Sequence, residues 1–221
     1  MAEGRATASA TLGFTAADFR VFHVQGFSAR MQQIYERIRP KLVRLGAELA
    51  PDLARKLHGE FFPHVAKHMR RSVNPPEETW AAWGPSPDGY TGHGYLALCI
   101  SAAGIHARAV VKPQADNRSQ MACALGAKTA DLERAFGATR IERYDRWDSR
   151  RLPEPIPANR EFFAWLARAL IKKTGTIDVG FGWPVGESLR LDRAELIDAF
   201  GELEPLYRIL RSAGSDPAHP L

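Results

Sequence analysis

The sequence predicts an α+β fold: a mixed, partly antiparallel sheet with helices packed on it, preceded by an N-terminal helical section. Apolar residues recur every three or four positions between residues 27 and 57, which is the period of an amphipathic helix. After residue 59 the pattern changes to short apolar runs separated by Gly and Pro, as in strands. Two of those runs are joined by Ala102, Ala103 and Gly104 alone, a connection that favours a hairpin over a crossover helix.

The length and composition predict one hydrophobic core. The chain has 221 residues, of which 45% are hydrophobic and 25% charged, as in an ordinary globular domain. Its Pro-rich points are too short to be linkers, so we expect a single domain over residues 14–211. Residues 1–13, rich in Ala, Thr and Gly, and residues 212–221 are predicted to be flexible tails.

Helices are predicted in the first third of the chain. Thr15 precedes a segment that resembles a helix start. A long amphipathic helix follows, in which Gly46 and Pro51 interrupt the row of leucines, so we expect a break or a pair of helices there. Gly59 is expected to end this section.

The remaining elements follow from period and from turn residues. The expected strands are Phe61 to Lys67, Thr79 to Trp83, Tyr95 to Ser101, Ile105 to Lys112, Arg140 to Trp147 and Ile177 to Val185. The expected helices are one that is capped by Asn117 and runs to about Phe136, one from Asn159 to Lys173, and a final helix capped by Asp192.

The sequence predicts a cytoplasmic protein without membrane association. The longest mostly apolar stretch, Tyr95 to Ala107, contains polar residues and is shorter than the roughly 20 residues of a membrane helix. The first residues lack the basic and apolar regions of a secretory signal. Cys99 lies in an apolar run, where a buried thiol is expected rather than a disulfide.

Charge is distributed unevenly along the chain. Between Arg30 and Arg71 there are ten basic residues against four acidic ones, whereas Val185 to Leu221 has four basic against seven acidic. This asymmetry favours an anionic partner near the first third of the chain. The alternative is that these Lys and Arg residues simply cover solvated helix faces.

The stretch HVAKHMRRSVNPPEETW at residues 64–80 resembles the signature of the YktB-like family of uncharacterised bacterial proteins. Phe14 to Phe19 and Ala29 to Met31 are similar to the opening of that family, and the resemblance spans about residues 14–211. It implies a mixed α/β domain of no established activity, so it carries over no catalytic residue. It does indicate where ligand-binding residues are to be sought: His64, Lys67, His68, Arg70, Arg71, Asn74 and Trp80.

His64 and His68 are a candidate metal pair whose geometry depends on the element that carries them. On a helix the i, i+4 spacing places the rings about 5–6 Å apart, but on a strand the distance is roughly 13 Å, which no single ion bridges. Pro63, the neighbouring phenylalanines and Val65 favour a strand. The Glu of an H-E-x-x-H site is also missing, so we expect no metal.

On a strand, His64, Ala66, His68 and Arg70 share one face. Together with Arg71 and Asn74 in the following loop, they would offer several donors to a phosphate or carboxylate. The alternative is a pair of structural histidines beneath solvated arginines.

Aromatic residues follow the basic run and could stack on nucleic-acid bases. These are Trp80, Trp83 and Tyr90, although aromatics in a sheet are also ordinary core residues. The Gly-rich segment 180–186 matches neither a Walker loop nor a dinucleotide fingerprint, and no cofactor is expected.

Three functions remain open from the sequence. The first is a binding protein for a phosphate-bearing or other anionic ligand, possibly nucleic acid. The second is a small hydrolase or transferase with His64 or His68 as general acid/base, and the third is a non-catalytic partner-binding scaffold. Convergence of His64, His68, Arg108 and Lys112 in one concave pocket would favour the enzyme, and a broad convex basic face would favour nucleic acid.

Overall fold

The N-terminal part of the chain is helical, as predicted. The computed structural model describes residues 11–68 and 73–212. The helices of this part are α1 (Ala16–Arg20), a 3-10 turn (Val21–His23), α2 (Phe27–Gln33), a π-helical turn (Ile34–Ile38) and α3 (Arg39–Leu57). Thr15 begins α1, because its backbone N–H and its hydroxyl both donate to the Asp18 carboxylate, at 2.7 and 2.9 Å.

Helix α3 is continuous, so the predicted break at Gly46 or Pro51 was wrong. The irregular turn lies earlier, at Ile34–Ile38. Pro51 removes the N–H that would bond the carbonyl of Ala47, but Ala47 is exposed and water can serve that carbonyl. Gly46 is buried against the sheet instead of interrupting the helix.

The strands form one antiparallel sheet, which confirms the α+β class. They are β1 (Phe62–Val65), β2 (Glu78–Gly84), β3 (Tyr95–Ser101), β4 (Gly104–Val111), β5 (Arg140–Arg143), β6 (Ile156–Pro157) and β7 (Ile177–Pro184). Their order across the described sheet is β1-β2-β3-β4-β7-β5-β6. The predicted hairpin joins β3 and β4, and each pairing between these strands is antiparallel.

The C-terminal half alternates helices with strands, although two bounds differ from expectation. The helices are α4 (Arg118–Ala127), α5 (Thr129–Phe136), α6 (Arg160–Ile171), α7 (Val185–Ser188) and α8 (Arg193–Ser212). A turn at Lys128 divides the single helix predicted up to Phe136, and this turn lets Leu132 of α5 reach the core. Strand β5 ends at Arg143, because the chain then folds back over the sheet.

Of the two predicted caps, Asp192 is confirmed, whereas the Asn117 cap was wrong, because Asn117 has a φ of 54° and its side chain makes no capping hydrogen bond. The Asn159 carboxamide oxygen accepts from the N–H of Phe162 at 2.9 Å at the start of α6. The Asp192 carboxylate accepts from the N–H of Glu195 at 2.9 Å at the start of α8.

The packed domain begins earlier than residue 14. Thr11 pairs with Asp192, and the N–H of Leu12 donates to the Leu191 carbonyl at 3.1 Å. Leu12 is buried in the core, so the predicted tail of residues 1–13 was too long by these positions. Residues 1–10 and 213–221 lie outside the described part.

Helices cover one face of the sheet. The leucines of α3, at positions 42, 45, 49 and 53, are fully buried there, together with apolar residues of α8. The indole N–H of Trp83 donates to the Gly46 carbonyl at 2.8 Å and fixes α3 against β2. Of the described helices, none combines the length and the apolar character needed to cross a membrane.

The opposite face of the sheet carries a buried ion cluster. Arg108 of β4 is only 1% exposed, with Nη2 at 2.7 Å from Glu78 Oε2 and Nη1 at 3.5 Å from Asp178 Oδ1. Its guanidinium lies 3.8 Å from the ring centre of Tyr144 and 5.0 Å from that of Trp147. The segment after β5 therefore closes this face over the charged groups.

His106 belongs to the same face and is buried completely. Its Nε2 lies 2.9 Å from the Ser101 hydroxyl. Burial, and next the positive charge of Arg108, hold the pKa of His106 well below its ordinary value. The folded protein therefore keeps this imidazole neutral under mildly acidic conditions.

We expect Trp83→Phe to lower the free energy of unfolding by about 2–3 kcal/mol, because it removes a buried hydrogen bond and leaves a cavity. Trp183→Phe is the matched control, since the Trp183 indole is only half-buried and donates to Glu195 at the surface. Urea denaturation measures both variants, and equal losses would contradict the role of Trp83.

We expect His106 to make unfolding pH-dependent. Because its folded pKa is depressed, the unfolded chain takes up the proton first, so stability is lost as pH falls below about 6.5, by about 1.4 kcal/mol per unit until the folded pKa is reached. Urea denaturation at about pH 7.5 and 5.5 compares wild type with His106→Gln. The variant should lose less stability on acidification, whereas the exposed control His23→Gln should follow wild type.

Candidate functional site

A groove runs along β1 and the residues that follow it. Its volume is about 780 Å³, within the range of small-molecule sites. Helix α3 forms one wall, the chain after β1 continues it, and the loop before β3 closes it. The lining residues are Arg39, Val43, Ala47, Pro63, His64, Val65, Ala66, Lys67, His68, Trp80, Asp88, Gly89, Tyr90, Thr91 and Gln114.

Strand β1 positions His64, but His68 lies beyond the strand. The strand predicted up to Lys67 ends at Val65, because the carbonyl of Ala66 turns away to accept from Arg39 Nη1 at 2.9 Å. His68 has a φ of 51°, in the left-handed region. The two histidines are therefore neither a helical pair nor a pair on one regular strand.

Both imidazoles are nevertheless on the same side of the sheet. His64 Nε2 is 3.0 Å from the carbonyl of Ser86, which only accepts, so Nε2 carries the proton and Nδ1 of the neutral ring is left as an acceptor. His68 Nε2 lies 3.0 Å from the Thr79 hydroxyl. The rings contact Tyr90 and Trp80 respectively, each with 5.4 Å between ring centres.

Trp80 and Tyr90 form an aromatic wall of the groove. The Trp80 indole N–H donates to the Tyr90 hydroxyl at 3.0 Å, and the ring of Tyr90 lies edge-on to Tyr95 with 4.7 Å between centres. Burial raises the pKa of Tyr90, so its phenol stays protonated. Trp83 is not part of this wall, because it is fully buried beneath α3.

Two cationic side chains, Arg39 and Lys67, line the groove near the C-terminal end of β1. Arg39 is held by its bond to Ala66 and lies 5.5 Å from the ring centre of Tyr35. Lys67 is exposed, and its carbonyl accepts from the Tyr35 hydroxyl at 3.0 Å. Among the residues lining the groove, Asp88 supplies the carboxylate.

Four of the seven predicted site residues meet in this groove. They are His64, Lys67, His68 and Trp80. Asn74 is exposed and does not line it. Arg70 and Arg71 fall in the segment 69–72, outside the described residues.

The lining residues that sequence reasoning missed include three from α3 and others from the loop before β3. Arg39, Val43 and Ala47 are spaced by four residues, so they share one helical face that borders the groove. Val43 is 51% exposed although apolar and lies next to the buried Leu42. The position of the apolar Val43 outside the row of buried leucines was the one signal in the sequence that could have indicated this face.

The convergence expected for the hydrolase or transferase is not found in the described part of the chain. The histidines line the groove, whereas Arg108 and Lys112 border a separate small cavity with Glu78 and Asp178. Within residues 11–68 and 73–212, no cluster of three or more His, Cys, Asp or Glu could hold a metal ion. His106 lies in the ion cluster and not in the groove.

Arg30 connects two of the three stretches that resemble the family, namely Ala29 to Met31 and residues 64–80. Arg30 is buried, and its guanidinium donates to the carbonyls of Val24 and Pro76, at 2.9 and 3.1 Å. The helical opening of the domain therefore anchors the Pro-Pro segment that precedes β2.

Comparison with known proteins places the chain in one family. Residues 14–207 match the family described as "Domain of unknown function (DUF1054)". A UPF0637 protein of Oceanobacillus iheyensis is 42% identical over 88 residues, which are 40% of this chain and 43% of that protein. UPF0637 proteins of Bacillus velezensis and Lysinibacillus sphaericus are 49% and 47% identical over 77 residues, 35% of this chain and 37% and 36% of theirs.

The chain thus spans about two fifths of the length of these curated relatives. The family match covers a much larger part of the chain, and it includes each stretch that carried the YktB-like resemblance. That resemblance is confirmed, and the chain belongs to the DUF1054 family.

Proposed function

We propose that the protein binds an anionic ligand, bearing phosphate or carboxylate groups, in the groove along β1. The observation that supports this most directly is the grouping of Arg39, Lys67, His64 and His68 around one concave site. With two permanent cations and one carboxylate, the lining is positive before either imidazole takes up a proton.

Arg39 is suited to hold an anion because it is already oriented. One of its N–H groups bonds the Ala66 carbonyl, and the others remain for a ligand. A guanidinium fixed in this way loses little side-chain entropy on binding, and it can bond two oxygens of a carboxylate or phosphate at once. Lys67, which follows Ala66 and is exposed, adds a second positive charge at the same end of the groove.

The aromatic and aliphatic lining supports a ligand that also has an apolar part. Trp80 and Tyr90 on one side, and Val43 and Ala47 on the other, offer surface on which a flat or aliphatic group can pack. Free inorganic phosphate would leave this surface uncovered, so we expect larger anions to bind more tightly.

We expect the double variant Arg39→Gln, Lys67→Ala to bind pyrophosphate about tenfold or more weakly than wild type, because two charge-assisted contacts are lost. Isothermal titration calorimetry measures the affinity. Lys173→Ala, an exposed lysine that does not line the groove, is the control and should bind as wild type does. An unchanged affinity in the double variant would place the anion site elsewhere.

A single-stranded nucleic acid is the polymeric form of such a ligand, with bases to stack on Trp80 and phosphates to meet Arg39 and Lys67. In that case a fluorescein-labelled oligothymidylate should bind at about 50 mM salt and dissociate at about 200 mM, because phosphate contacts release counterions. Fluorescence anisotropy measures both. Absence of association at the lower salt would remove nucleic acid and leave small anions and acidic peptides as ligands.

A further inference from the structure

Strand β1 forms an open edge of the sheet along the groove. In the described sheet its strand neighbour is β2, and its other side borders the groove. Pro63 fits this position, because a proline in a strand is tolerated where its missing N–H would face away from the sheet. The main chain of β1 is therefore a possible template for one more strand.

The direction of the β1 backbone groups follows from one hydrogen bond. The N–H of Ala66 donates to the Trp80 carbonyl at 3.0 Å, so alternate residues of β1 face β2. The intervening residues, Pro63 and Val65, direct their backbone groups into the groove. This edge thus presents the N–H and C=O of Val65 and the C=O of Pro63.

The walls on either side of this edge select the side chains of an added strand. Val43 and Ala47 are exposed on the α3 side and suit small apolar side chains. Arg39 and Lys67 stand near the C-terminal end of β1 and suit carboxylates. A second copy of the chain is a poorer occupant, because its β1, Phe62–Val65, carries no carboxylate to pair with Arg39 and Lys67.

We propose that the occupant of the groove is an extended acidic segment of a partner protein, which pairs with β1 as an additional strand. This inference rests on the proposed function and names the ligand class as peptide carboxylate. The backbone of β1 supplies one donor and two acceptors, and the cations of the groove select acidic side chains. Because Pro63 offers no N–H, the template is short, and the side-chain contacts supply the specificity.

The test uses a short fluorescein-labelled peptide in which valine alternates with aspartate and glutamate, titrated into the full chain by fluorescence anisotropy. In one N-methylated version every odd-numbered amide carries a methyl group, and in a second version every even-numbered amide does. In an added strand only one set faces β1, so one version should bind about tenfold more weakly while the other binds nearly as the parent does. Equal affinities of all three peptides would overturn strand pairing.

A backbone variant tests the same contact from the protein side. Val65→Pro removes the donor of the edge and should weaken the parent peptide about tenfold relative to Val65→Thr, which keeps the N–H with a similar shape. Circular dichroism verifies that both variants fold. Equal peptide affinities of the two folded variants would overturn the assignment of Val65 to strand pairing.

The outcomes separate this inference from the proposed function. If pyrophosphate or oligothymidylate binds and the peptide does not, the peptide inference is overturned and the anion site stands. If none of the three binds at low salt, both are overturned.

Discussion

The position of α3 against the sheet depends on one close contact at Gly46. A Cβ atom at this position would lie 3.3 Å from Cβ of Pro63, which is tighter than ordinary packing. The absent side chain lets the helix approach β1, and the bond from the Trp83 indole to the Gly46 carbonyl holds it there. Since Arg39, Val43 and Ala47 lie on the same helix, this contact also sets the width of the groove.

The other face of the sheet is closed by a different constraint, the burial of Arg108. A buried guanidinium needs counter-charges, which Glu78 and Asp178 provide. It also needs a cover, and Tyr144 and Trp147 lie over it. Gly182 makes room for this cover, because a Cβ there would meet Glu142, Tyr144 and Leu152 at 2.7 Å. Within residues 11–68 and 73–212 the sheet is thus covered on both faces, and the β1 edge remains accessible.

Local patterns predicted most elements, and tertiary contacts account for the exceptions. The β3–β4 hairpin and the Asp192 cap depend on neighbouring residues, so the sequence sufficed for them. Gly46 was misjudged because its role lies in a contact with Pro63, far along the chain. His64 and His68 were expected on one face and are on one side of the sheet, although the strand ends between them because Arg39 captures a carbonyl. No feature of the sequence near these histidines predicts that Arg39 bonds the Ala66 carbonyl.

Part of the basic excess of the first third of the chain is engaged in contacts within the protein. Arg30 bonds two carbonyls in the interior, Lys41 pairs with Asp18 at 2.6 Å, and Arg44 bonds the Leu12 carbonyl at 3.0 Å and Glu48 at 2.9 Å. Lys56 pairs with Asp198 on α8. The segment charge counted from the sequence therefore overstates the field at the surface, since Asp18 and Asp198, which lie outside the segment, neutralise part of it. Arg39 and Lys67 act locally, within the groove. In the proposed function, a few charges beside apolar walls and a strand edge would recognise a ligand by contact geometry, and long-range attraction of a polyanion would contribute less.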